Sequence, residues 1–162
     1  MTTIDVSVRP FRVEFTVTTE IPAPPERAWD VLARTGDYPQ WNPFVRRFAG
    51  DLAVGAQVEV DLKAGKREPR TMRPRIVEVD PGRSFTWLGQ FWAPGLLAAR
   101  HRFTIEAAGD GSRLVQWERI SGLLAPLFRV LLTRDTLVAF AALNDALAER
   151  AQQQPSGPRQ PA

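Results

Sequence analysis

Cysteine is absent from this chain, and histidine occurs once, as His101. The first absence excludes disulfides, thiolate zinc sites, iron–sulfur clusters and cysteine nucleophiles. The second excludes a multi-histidine metal centre and leaves any serine triad dependent on His101 alone. Lysine is nearly missing: Lys63 and Lys66 are the only two, so nineteen of the 21 basic residues are arginine. Against 18 acidic residues the net charge is +3, and the isoelectric point of about 10.1 reflects arginine's very high pKa, not a strongly cationic surface. The cations are scattered. Their densest run is Lys63, Lys66, Arg67, Arg70, Arg73 and Arg75, which reads as a solvated hairpin, so no nucleic-acid partner is expected. Long apolar runs are lacking too: the longest, Leu137 to Leu143, is far too short to cross a bilayer. Residues 1–15 carry Asp5, Arg9 and Arg12 without a long apolar run, so no secretory signal is expected and the expected location is cytoplasmic.

What is present suits one globular domain. The chain has 162 residues, 44% of them hydrophobic and 24% charged, enough to bury a core without staples. Phe11 to Ile21 alternates, with Phe11, Val13, Phe15, Val17 and Thr19 on one face, as a half-buried strand does. Pro22, Pro24 and Pro25 end it, and Pro24 and Pro25 suit the start of a helix over Glu26 to Arg34. A turn or short helix rich in proline and aromatic residues follows at 36–43. Further strands are predicted at 44–50, 56–63, 70–79, 84–91, 100–107 and 112–121, separated by turn signals such as Gly65-Lys66, Asp80-Pro81-Gly82 and Gly109-Asp110-Gly111. A long helix from about Leu124 to Ala151 has Val130, Leu137, Phe140, Leu143 and Leu147 on one side and Arg134, Asp135, Asp145 and Glu149 on the other. The expected architecture is therefore α+β: a curved seven-stranded antiparallel sheet gripping a long C-terminal helix, with two short helices after the first strand. The domain is expected over 11–151, with 1–10 as an N-terminal extension and 152–162 as a disordered tail. A strongly curved sheet and a single helix leave a gap, and that gap is a natural pocket.

Four segments carry a resemblance to a known group. They are Ile21-Pro22-Ala23-Pro24-Pro25-Glu26-Arg27-Ala28-Trp29-Asp30-Val31-Leu32, Tyr38-Pro39-Gln40-Trp41-Asn42-Pro43-Phe44-Val45, Glu78 to Trp87, and Phe103-Thr104-Ile105-Glu106. Together they resemble the START-like, pollen-allergen and polyketide-cyclase superfamily over roughly residues 11–151. The resemblance implies a helix-grip fold with a large internal cavity. It does not choose among carriers, natural-product binders and aromatase/cyclases, because fold alone does not specify activity.

Strand parity nominates the polar groups that could enter such a cavity. His101 shares a face with Phe103 and Ile105 and is placed inward. Glu118 shares a face with Leu114 and Ile120, but Val115 and Trp117 make the other face almost as apolar, so its orientation stays open. If both point inward they could act as an acid/base pair on an enolisable ligand, or form a structural pair in the core. Arg73 and Arg75 share parity with Val77 and Val79. They meet an anionic ligand group if that face is the inner one and meet solvent otherwise. Asn42 caps a turn or donates to ligand, and Trp41 lies beside it. Trp87, Phe91, Trp92, Leu137 and Phe140 are the candidate apolar lining, with Gly95-Leu96-Leu97 as a possible gate. The apolar stretch Leu123 to Leu132 could touch a membrane, or be covered by loops or a dimer mate. The expected partner is a small hydrophobic ligand, without metal or redox cofactor, bound by a monomer or homodimer. Binding without catalysis, a cyclase- or dehydratase-like reaction, and docking to a membrane or partner are the three functional expectations.

Overall fold

The alternation between Phe11 and Ile21 becomes strand β2 (Arg12–Ile21), which buries Val13, Phe15, Val17, Thr19 and Ile21 on one face. These coordinates are a computed structural model that describes residues 1–66, 68–127 and 134–153. Ahead of β2, the segment expected to be an extension forms strand β1 (Thr2–Arg9), paired antiparallel with β2 from Thr2↔Thr19 to Arg9↔Arg12. The sheet therefore starts earlier than the alternation beginning at Phe11 suggests.

After β2, Pro24 and Pro25 open helix α1 (Pro25–Ala33), which needs no backbone N–H at those positions and buries Ala28, Val31 and Leu32. A 3₁₀ turn (Thr35–Asp37) leads into the single-turn helix α2 (Tyr38–Trp41). Tyr38 locks this corner: its buried hydroxyl donates to the Leu32 carbonyl at 2.6 Å. Strands β3 (Val45–Ala49), β4 (Glu59–Leu62) and β5 (Arg70–Met72) make a small sheet in the order β3-β4-β5. Strands β6 (Arg75–Asp80), β7 (Ser84–Phe91), β8 (Leu97–Ala108) and β9 (Gly111–Ser121) join the first two in a six-stranded sheet of order β1-β2-β9-β8-β7-β6.

The expected seven-stranded sheet is thus six strands plus a separate three. Besides β1, the cause is Pro74. The stretch 70–79 reads as one strand, but proline has no N–H to give to a ladder. The chain breaks at Arg73 and Pro74, so β5 pairs with β4 while β6 pairs with β7.

Helix α3 (Arg134–Gln153) crosses the inner face of the large sheet above β2. Phe140, Leu143, Leu147, Ala148 and Ala151 are its buried side. The Phe140 ring lies 5.3 Å from Phe15 and 4.8 Å from Phe44, so one aromatic ties β2, the α2–β3 corner and α3 together. The expected single helix from Leu124 is helical at residues 125–127 and again from Arg134, with 128–133 outside the described residues. Gln152 and Gln153, assigned to the tail, finish α3, and 154–162 lie outside the described residues. Among the described residues, no helix is long and apolar enough to cross a membrane.

Candidate functional site

The inner face of the sheet is lined by Phe15 on β2, Phe85 and Trp87 on β7, and His101, Phe103 and Ile105 on β8, all buried. His101 stands inward, as its parity requires. Its ring stacks on Phe103 at 4.2 Å and on Phe140 at 4.7 Å, and meets Trp87 edge-on at 5.3 Å. His101 Nε2 lies 3.0 Å from Gln116 Oε1. The Gln116 amide nitrogen already donates to the Phe140 carbonyl at 3.0 Å and to Asn144 Oδ1 at 2.6 Å, so its oxygen is the acceptor and His101 Nε2–H the donor. Asn144 in turn donates to the Val17 carbonyl at 3.3 Å. Burial pushes the imidazole pKa down to about 3, against a smaller opposing effect of the Gln116 bond, so the ring is neutral.

This network of His101, Gln116 and Asn144 fastens α3 to β2, β8 and β9. Gln116 and Asn144 were not among the residues singled out from the sequence. A signal existed for each: Gln116 alternates in phase with Leu114, and Asn144 sits within the buried helical spacing of Phe140, Leu143 and Leu147.

Glu118 follows Gln116 by one inner-face step. Its register partners are His101 on β8 and Phe15 on β2, both inward, so the orientation left open by the sequence resolves to the inner face. No ion pair joins Glu118 to His101, and among the described residues its carboxyl has no hydrogen-bond partner. Half-buried in the sheet and lacking a counter-charge, it is pushed up to about 8 by burial. The two groups share a face without forming an acid/base pair: the imidazole is committed to Gln116 and the carboxyl is free.

Of the two roles considered for Asn42, the structure shows the cap. Its Oδ1 accepts from the N–H groups of Phe44 at 3.0 Å and Val45 at 2.8 Å, which holds the turn after α2. Its Nδ2 is buried and has no partner among the described residues.

The remaining candidates separate. Trp87 and Phe140 are core aromatics, and Leu137 is half-buried against that core. Phe91 continues the inner parity of β7 and packs over Gly89, where a Cβ would come within 3.3 Å of Met72 and 3.5 Å of the Phe91 ring. Trp41 packs edge-on against Tyr38 at 5.3 Å, half-buried. Trp92 is not lining: it is 73% exposed, and its φ of 63° turns the chain outward just past β7. Arg73 and Arg75 do not enter the interior either. Arg73 pairs with Glu59 at 2.8 Å and Arg75 donates to the Gly55 carbonyl at 3.0 Å, both exposed: Ile76, paired with Trp87, takes the inner face of β6, so the solvent alternative left open for the two arginines holds. In the apolar stretch for which membrane contact or coverage by loops or a dimer mate stayed open, Leu123 and Leu127 are exposed, and 128–133 lie outside the described residues.

A shallow depression of about 410 Å³ lies on the opposite, outer face of the sheet, lined by Arg83, Arg102, Thr104, Glu106 and Trp117. It is unrelated to the inner groups described above.

A curved antiparallel sheet closed by a C-terminal helix, with the polar groups placed between them, is the helix-grip arrangement of the START-like (SRPBCC) superfamily. Within it the chain belongs to the family described as polyketide cyclase / dehydrase and lipid transport, whose model matches residues 12–152. Among solved structures, the fold is similar to the di-domain aromatase/cyclase BexL from the BE-7585A biosynthetic pathway, with a TM-score of 0.71 at 15% identity over 91% of this chain and 52% of that one. The chain thus spans about half of BexL. It is similar to Ara h 8.0201, with a TM-score of 0.65 at 17% identity over 88% of this chain and 99% of that one. It is also similar to norcoclaurine synthase from Thalictrum flavum in complex with dopamine and hydroxybenzaldehyde, with a TM-score of 0.65 at 15% identity over 96% and 91%. A sequence search of curated proteins returns no match.

Proposed function

We propose that the protein binds a small hydrophobic ligand, lipid-like, polyketide-like or aromatic, between the inner face of the sheet and α3, as a carrier or binding protein. The observation that carries this reading is Glu118, an inward-facing acid without a partner, set between His101 on β8 and Phe15 on β2. A carboxyl kept neutral near pH 7 donates one hydrogen bond and accepts others, which suits the carbonyl or hydroxyl of an otherwise apolar molecule. The orphaned Asn42 Nδ2 supports it, since an unsatisfied buried amide costs about 1–3 kcal/mol unless something accepts its hydrogen. Family membership supports the ligand class, and the aromatic ligands of norcoclaurine synthase are what that neighbour binds.

The test is native mass spectrometry of protein purified without added ligand, followed by denaturing extraction, then titration with lipids and polycyclic aromatics. A co-purifying or saturably bound hydrophobic molecule is expected, with affinity changed by Glu118→Gln. Absence of saturable binding across both panels would sink the reading.

The same carboxyl favours a second reading, a cyclase- or dehydratase-like activity. A protonated Glu118 could give its proton to a carbonyl oxygen or a departing hydroxyl and recover it from the adjacent carbon, as general acid and then base. His101, hydrogen-bonded and neutral, would shape the wall and would not take the proton. Turnover that survives Glu118→Gln would remove this role while leaving the binding function standing.

A further inference from the structure

The large sheet ends in two differently finished edges. At β6 the ladder is interrupted by a register shift between Ile76 and Glu78, Pro74 precedes it, and a bridge between Gln57 and Arg75 covers its start. These are the usual guards against edge-to-edge pairing. The other edge, β1, has none of them. It runs eight residues in unbroken register with β2, contains no proline, and turns its second edge to solvent. Ile4, Val6 and Val8 sit opposite Val17, Phe15 and Val13, so they continue the apolar inner face, yet they are 44%, 54% and 47% exposed.

The two charges on β1 are arranged for a copy of the same strand. Asp5 and Arg9 lie on its outer face, equally far from Ser7 on either side, and neither has a partner among the described residues. At about 3.3 Å per residue they are roughly 13 Å apart, too far to meet within one strand. Arg9 also stands directly opposite Arg12 on β2, a like-charge placement that leaves it short of a counter-ion, since Arg12 has Glu14 at 3.8 Å. Around Ser7 the sequence Asp5-Val6-Ser7-Val8-Arg9 is symmetric in its apolar residues and opposite in its charges. A two-fold axis through Ser7 therefore sets each Asp5 against the Arg9 of a second chain, and each Val6 against its Val8. Centring on Asp5 would oppose two carboxylates, and centring on Val6 would leave Arg9 facing Thr3.

We propose that two copies of this chain associate through β1, antiparallel about Ser7, to give a continuous sheet across the dimer. The axis is normal to the sheet, so both inner faces stay on the same side and each ligand site remains separate.

The test uses the full chain in sedimentation or native mass spectrometry between about 1 and 100 µM, the range in which such an edge contact is measured. A dimer is expected. Asp5→Arg and Arg9→Asp should each raise its dissociation constant by on the order of tenfold at low salt, and the double exchange should restore it. Because the chain has no cysteine, Ser7→Cys supplies a sole thiol, and cross-strand Cα spacing of about 4.5–5.5 Å suits a disulfide. Rapid oxidation of Ser7→Cys to a linked dimer is expected, and Thr3→Cys should link poorly. A monomer at every concentration, a dimer indifferent to both charge reversals, or a dimer that Ser7→Cys cannot link would each overturn the proposal. The cysteine variant is read even if a charge reversal fails to fold.

Discussion

Two sets of polar side chains face the apolar side of the sheet, and they are finished differently. In His101, Gln116 and Asn144, every bond described runs from one member to the next or to a backbone carbonyl, and the set joins three strands to α3. One step further along β9, Glu118 faces the same way with no partner among the described residues, and at the α2–β3 corner half of the Asn42 amide is satisfied and half is not. Inside a protein, a complete network specifies structure, whereas an incomplete one costs stability unless another molecule completes it. The contrast separates what holds this fold from what, on the proposed function, is left for a ligand.

The largest expected effect is on the complete set. Gln116→Leu leaves His101 Nε2–H and Asn144 Oδ1 unpaired in the core and should lower unfolding free energy by about 3–4 kcal/mol, read from denaturant melts. A fully stable Gln116→Leu protein would erase the distinction.

Next comes acid. The folded chain holds His101 at about 3 while the unfolded chain takes a proton near 6.5. Stability should therefore be intact above pH 6.5 and fall as pH drops towards 3, by on the order of 3 kcal/mol. His101→Gln should flatten that limb.

Glu118 has the opposite sign. Its folded value near 8 exceeds the ordinary 4.5, so the folded state keeps a proton that the unfolded state has lost between those pH values. Stability falls as pH rises through that window, and Glu118→Gln should recover on the order of 2 kcal/mol at pH 9 while changing ligand affinity. A Glu118→Gln variant with unaltered alkaline stability would mean that the carboxyl is solvated.

The smallest effect is expected outside both sets. Trp92→Gly relieves a left-handed backbone at the cost of unfolded-state freedom, so stability should move by no more than about 1 kcal/mol and ligand affinity not at all.

The helix grip was legible because its signals are local and repeated: alternation in β2, β4 and β8, proline at the start of α1, glycine-bearing turns, and the apolar stripe of α3. The errors came from residues whose effect depends on a partner. Pro74 breaks one apparent strand into two that serve different sheets, and the face of Arg75, open in the sequence, is decided by Ile76, whose pairing with Trp87 turns it inward. Ile4, Val6 and Val8 alternate with Asp5, Ser7 and Arg9, so the signal for β1 is present in the sequence, and pairing with β2 realises it. His101 was legible by parity. Glu118 was not, because both faces of β9 are apolar and only the pairing with His101 and Phe15 decides between them. Gln116 and Asn144 sit at core positions by periodicity, but the sequence does not show that they meet each other, and their importance lies in that contact.

The position of β2 also sets an order of events. Its neighbour on one side is β1, across a two-residue turn; on the other it is β9, where Arg12 pairs with Ser121. Sequence-local pairings close quickly, whereas pairings this distant must wait for the intervening chain and lose more loop entropy. During synthesis, β2 would present Val13, Phe15 and Val17 for as long as it takes to make the next hundred or so residues. The β1–β2 hairpin can form at once, capping one side of that strand until its permanent neighbour emerges. The first eight-residue strand thereby covers one edge of β2 during synthesis, while β1's own unguarded edge stays open to a second chain.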